Sequence, residues 1–213
     1  VSKNLFEGAL IVIFVLVLFL GNLRAGFIVS SVIPLSMLFA FIMMNIFGVS
    51  GNLMSLGALD FGLIVDGAVI IVEAILHRLH GPTLANKNFL TAKEMDETVE
   101  SSAGKMMNSA VFGQIIILIV YLPILTLEGV EGKMFKPMAQ TVIFALLGAF
   151  ILSLTYVPMM SALFLSKKIT HKKNYADRMM DKLEAVYDKI LKVVLKFQNP
   201  LFFSVLGLFF VSV

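Results

Sequence analysis

Apolar residues dominate five long runs of the chain, roughly Leu5–Leu20, Phe27–Phe47, Leu53–Leu76, Asn108–Leu127 and Met138–Leu165, separated by short polar stretches. A sixth apolar run opens at Leu201. A helix needs ~20 apolar residues, range about 17–25, to cross a bilayer. Each complete run with its flanks therefore predicts a spanning helix, the last one longer and tilted. Two polar stretches carry helical patterns of their own. Thr91-Ala92-Lys93-Glu94 has the order of a capping box and predicts a short cytoplasmic helix. Over residues 175–199, Met179, Leu183, Val186, Ile190, Val194 and Phe197 recur at helical spacing among aspartates and lysines. That pattern predicts an amphipathic helix on the inner membrane surface. Pro34, Pro123 and Pro158 fall within or beside the runs, where proline bends a helix and frees a carbonyl.

Composition agrees with a polytopic membrane protein. Hydrophobic residues make up 59% of the 213 positions, against about 45–50% in ordinary globular chains, and the mean hydropathy is +0.94. The net charge of +3 is too small to point to nucleic acid, and without cysteine there is neither disulfide nor thiolate metal site. The basic residues orient the runs. Arg24 lies in the first connection, Arg78, Lys87, Lys93 and Lys105 in the third, and nine lysines and arginines between Lys167 and Lys196 in the fifth. The odd connections thus hold 14 of the 17 basic residues and are expected in the cytoplasm, with the N-terminus on the periplasmic side. The start VSKNLFEG, without initiator Met or signal peptide, and the end inside an apolar run read as an internal piece of a longer protein.

The third run changes the picture. Residues 55–74, SLGALDFGLIVDGAVIIVEA, carry Asp60, Asp66 and Glu73 in an otherwise apolar span. On a continuous helix Asp66 and Glu73 share one face, ~10.5 Å apart along the axis, and Asp60 lies about 120° around and ~9 Å away. Gly62 shares the stripe of Asp66, and Gly57 and Gly67 that of Asp60. Small residues admit close helix neighbours. The acids are therefore expected to face the bundle interior, leaving Ala58, Phe61, Val65, Val72 and Leu76 to lipid. A central carboxylate costs about 2.5–3.5 kcal/mol, so two cost about 5–7 kcal/mol. The complete spans hold no lysine or arginine to offset this, and Glu7 is their only other charge. Asn45, Gln114 and Gln140 can hydrogen-bond a carboxyl group but cannot neutralise it. Removal from water favours the neutral form of carboxyl groups as a class. A carboxyl group so placed meets the requirement for a proton relay.

Other chemistry is thinner. His77 and His80 offer two ligands, short of a metal site. The pairs Met43–Met44, Met106–Met107 and Met159–Met160 suit soft metals but equally suit packing. Glu128 and Glu131 read as solvated charges of a turn, and no phosphate-binding glycine loop is present. An intramembrane aspartyl protease needs two converging carboxyl groups, whereas both aspartates lie on one predicted helix pointing about 120° apart. A passive scaffold is the blandest alternative.

The sequence resembles the resistance-nodulation-division superfamily, specifically its heavy-metal efflux branch of cobalt-zinc-cadmium type. The resemblance runs through NLFEGALIVIFVLVLFLGNLRAGFIVSSVIPLSMLFAF, NLMSLGALDFGLIVDGAVIIVE, YLPILTLEGVEGKMFKPMAQTVIFALLGA and TYVP. It implies an all-α transmembrane bundle of helices two to six over residues 1–166, a cytoplasmic amphipathic helix over 167–199, and the start of helix seven over 200–213. It also implies a homotrimeric secondary transporter of the bacterial inner membrane, not an enzyme, working with a periplasmic adaptor and an outer-membrane channel. Large periplasmic domains would lie outside this chain. By the resemblance, Asp66 matches the aspartate central to proton translocation, and Asp60 and Glu73 the further acids of the divalent-metal branch. No cofactor is expected: protons drive export of zinc, cobalt, cadmium or nickel, the alternatives being organic compounds or monovalent copper or silver. One departure is Ala74, where the family has Asn, which removes a hydrogen-bonding side chain beside Glu73.

Overall fold

The computed structural model describes residues 2–51, 60–79, 81, 89–166 and 175–196. Seven helices are found among them. They are α1 (Ser2–Leu20), α2 (Leu23–Ile46), α3 (Phe61–Leu79), α4 (Ala92–Leu125), α5 (Gly129–Leu154), α6 (Tyr156–Phe164) and α7 (Tyr175–Lys196). The chain divides into a unit of residues 1–171, containing α1–α6, and a unit of residues 172–213, containing α7. The predicted run from Leu201, the first part of the Leu53–Leu76 run, Gly57, Ala58 and His80 lie outside the described residues.

Local chemistry sets the helix ends. Asn22 caps α2, its side-chain oxygen accepting from the Arg24 N–H at 3.0 Å and the Ala25 N–H at 3.4 Å. Thr91 and Glu94 form the expected capping box: the Glu94 N–H donates to Thr91 Oγ1 at 3.3 Å, and the Thr91 N–H donates to Glu94 Oε2 at 2.9 Å. The helix it opens is not short. No breaker intervenes before Pro123, so α4 runs on through 34 residues. At 1.5 Å per residue it is about 51 Å long, well beyond the ~30 Å hydrocarbon core. The helix expected in the cytoplasm and the fourth span are one continuous helix.

The fifth run behaves in the opposite way. The structure starts α5 at Gly129, ahead of the expected Met138, and breaks the run at Thr155. Pro158 lacks an N–H, and its ring clashes with a helical carbonyl four residues back, at Leu154. The Thr155 hydroxyl donates to the Ile151 carbonyl at 2.7 Å and helps close α5. The short α6 is tied to α2 at both ends. The hydroxyls of Tyr156 and Ser31 are 2.9 Å apart, and the Arg24 guanidinium donates to the Phe164 carbonyl at 3.4 Å.

Among the described helices α2, α4 and α5 are long and apolar enough to cross a membrane. The all-α membrane bundle expected from the sequence is therefore the observed architecture. Its core centres on α3, which touches each of α1, α2, α4, α5 and α6. In the second unit, α7 exposes Leu183, Val186 and Ile190, three residues of the predicted apolar stripe. Lys192 and Asp188 form an exposed ion pair at 3.6 Å on the same helix.

Candidate transport site

The helix α3 starts one residue after Asp60, not before it. The Asp60 side chain accepts a hydrogen bond from the Gly62 N–H at 2.8 Å, and its carbonyl accepts from the Ile64 N–H at 3.3 Å. This is N-cap geometry: an aspartate bonds the backbone locally at a helix start more readily than inside a helix. The helical-wheel position expected for Asp60 therefore does not hold, because Asp60 lies outside the helix. His77 and Arg78 occupy the last turn, where cations favour the negative end of the helix dipole.

Asp66 and Glu73 do lie on one face of α3, together with Gly62 and His77, and all four are exposed within this chain. The face expected to meet lipid is the covered one. Phe61 is 8% exposed, Val65 3%, Val72 0% and Leu76 7%. The periodicity correctly separates the two faces but not which one this chain covers. Gly67, on the stripe expected for Asp60 and not on the acid face of Asp66 and Glu73, lets α4 and α5 close in. A Cβ on Gly67 would stand 2.9 Å from Gln114 Nε2 and 3.2 Å from Ser153 Oγ.

The expected polar partners do not reach the acids. Gln114 is 4% exposed and packed at Gly67, away from the acid face; its amide nitrogen and oxygen have no hydrogen-bond partner, and the same holds for the hydroxyls of Ser153 and Ser161. Asn45 is exposed and Gln140 half-buried, and among the described residues neither bonds Asp60, Asp66 or Glu73. Basic residues do approach one acid. A groove of about 600 Å³ between the second half of α3 and the first half of α4 is lined by Glu73, His77, Arg78, Ser102 and Lys105, over Ile70, Ala74 and Met106. Lys105 and Ser102 come from α4, so only the folded pairing of the two helices reveals their proximity to Glu73. The signal available in the sequence was the four-residue step from Glu73 to His77.

Asp66 and Glu73 are about 10.5 Å apart along the helix axis, far beyond the 2.5–3.0 Å of an O–H···O hydrogen bond. A proton passing between them must travel through water or other polar groups. Among the described residues no group of three or more His, Cys, Asp or Glu side chains could hold a metal ion. Of the methionine pairs, Met44 is buried, while Met106, Met107 and Met159 are exposed.

The model of the AcrB/AcrD/AcrF family matches residues 1–213. The chain belongs to that family. Over 174 residues it is 53% identical to the cobalt-zinc-cadmium resistance protein CzcA of Cupriavidus metallidurans, covering 82% of this chain and 16% of the relative. Over 169 residues it is 54% identical to the nickel and cobalt resistance protein CnrA of the same organism, covering 79% of this chain and 16% of the relative. A crystal structure of a heavy metal efflux pump is similar to it with a TM-score of 0.64 and 41% identity, over 76% of this chain and 15% of that one. The chain thus spans about a sixth of the length of the curated relatives it matches. The resemblance to the heavy-metal efflux branch of the resistance-nodulation-division superfamily holds. These relatives are named for metal resistance and efflux, and among the described helices of this chain α2, α4 and α5 are long and apolar enough to cross a membrane.

Proposed function

We propose that this chain forms part of the membrane domain of a proton-driven pump that exports divalent heavy-metal cations. In this reading Asp66 takes up and releases the proton, Glu73 extends the path towards the cytoplasm, and Asp60 tunes its outer end. The carrying observation is the pair Asp66 and Glu73, without hydrogen-bond or ion-pair partners among the described residues, on one open face of the helix that touches the five other described helices of its unit. Similarity above 50% to proteins named for cobalt, zinc, cadmium and nickel resistance supports the substrate class.

The proposed orientation follows the basic residues, with the α1–α2 and α3–α4 connections and the α7 segment cytoplasmic. The intact protein would be a homotrimer acting with a periplasmic adaptor and an outer-membrane channel. An inward-moving proton gains ~2.3 kcal/mol per 100 mV. Protonating Asp66 removes a charge from α3, and the resulting shift would pass to the helices packed on it.

The test is Asp66→Asn in the full-length pump, assayed for metal-coupled proton flux in proteoliposomes. Asparagine keeps the shape and cannot titrate. Loss of coupled flux in correctly assembled trimers is expected, and wild-type flux would overturn the proposal. Replacing zinc or cobalt by an organic compound as the driving substrate checks the substrate class.

A further inference from the structure

The groove beside Glu73 contains an ionisable group without a role in the reading above. We infer that His77 is the cytoplasmic port of the relay, exchanging protons between Glu73 and bulk water. This deepens the proposed function and rests on the relay through Asp66.

Three observations carry it. First, Glu73 and His77 are four residues apart on α3, where side chains are neighbours, and both are exposed and line the same groove. Second, the lining joins charge to apolar surface: Lys105 is exposed and Arg78 half-buried, beside Ile70, Ala74 and Met106, while Ser102 is buried and donates to the Thr98 carbonyl. Third, imidazole is the side chain whose ordinary pKa, near 6.5, lies in the physiological range. It can therefore accept a proton from a carboxylic acid and pass it to cytosolic water at near-neutral pH.

Among the described residues, the charged groups that line the groove with His77 are Glu73 and Arg78 from α3 and Lys105 from α4. The step balances simply: the carboxyl O–H of Glu73 gives its proton to an imidazole nitrogen, and the opposite nitrogen gives one to water.

The experiment uses the full-length pump in proteoliposomes, with pH on the cytoplasmic side varied between about 5.5 and 8.5 around the ordinary imidazole pKa. Metal-driven proton flux is compared for wild type, His77→Gln, His77→Ala and Asp66→Asn. The wild type is expected to show an inflection in the imidazole range. His77→Gln should remove that inflection and slow flux about a hundredfold at low buffer concentration, the lower end of what a positioned acid–base group contributes. Free imidazole added to the cytoplasmic side should restore flux to His77→Ala. Wild-type rate and pH profile in His77→Gln, with Asp66→Asn inactive, would overturn this inference alone. Slow flux that neither loses the inflection nor responds to imidazole would overturn it too, because a packing role predicts that result. Activity in Asp66→Asn would instead overturn the relay on which it rests.

Discussion

Gly148→Ala should destabilise the bundle although alanine is the better helix former. The exchange removes a flexible residue from the interior of α5 and gains about 1 kcal/mol of helix propensity. Against this stands the contact with α2, the helix that α5 meets most extensively. A Cβ at Gly148 would lie 2.7 Å from Cδ1 of Phe39, 2.9 Å from its Cγ and 3.0 Å from its Cβ. Carbon atoms rest about 3.5–4.0 Å apart. The Phe39 ring can turn, but its Cβ is fixed by the α2 backbone, so the two helices must separate. Overpacking of this kind costs about 1–3 kcal/mol, which leaves a net loss of up to about 2 kcal/mol.

The assay is thermal unfolding of the detergent-solubilised pump, in which such a loss lowers the midpoint by up to roughly 8 °C on the scale of a 150–250-residue unit. Gly104→Ala is the control. It lies within α4 with nothing within 4 Å of a new Cβ, and should gain the propensity term alone. Phe39→Ala completes a double-mutant cycle, removing Cδ1 and Cγ and leaving only the Cβ at 3.0 Å. In that background Gly148→Ala should lose most of its penalty, giving a coupling of about 0.5–3 kcal/mol. If Gly148→Ala stabilises as much as Gly104→Ala does, or if the cycle shows no coupling, the close α2–α5 approach is refuted.

The N-caps Thr91 and Asp60 give further tests. Thr91→Ala removes the acceptor for the Glu94 N–H and should cost about 0.5–2 kcal/mol; faster hydrogen exchange confined to the first turn of α4 would register it. Asp60→Asn keeps a side-chain oxygen for the Gly62 N–H, whereas Asp60→Ala does not. The unfolding free energy should therefore be unchanged for Asn and lower by about 1 kcal/mol for Ala, and equal losses for both would remove the capping role.

Much of the fold was legible because its determinants are local. The lengths of the apolar runs anticipated α2, α4 and α5 as spans, and the Thr91–Glu94 box was readable residue by residue. The misjudged boundaries are cases where one local signal outweighed another. Pro158 ended α5 because its missing N–H and its ring act on the turn before it, although the run of apolar residues continued. The Asp60-Phe61-Gly62 start of α3 also carried a local signal, an aspartate two residues before a glycine whose N–H it accepts. An unbroken apolar count across residues 53–76 hides that signal.

The candidate site was legible in one respect and not in another. Periodicity assigns Asp66, Glu73 and His77 to one face of α3, and that assignment needs nothing beyond 3.6 residues per turn. It cannot say which face the rest of the chain covers, because in a membrane the polar stripe and the apolar stripe compete on packing rather than on hydrophobicity. Gly67 decides the contest here. It admits Gln114 and Ser153 to the α3 backbone, and neither of their polar groups finds a partner there. Close packing against the apolar face thus coexists with unsatisfied polar atoms, while Asp66 and Glu73 stay clear of it on the open face. A carboxyl group held on the open side of a helix that contacts five others can change its charge without breaking any hydrogen bond seen within its own chain.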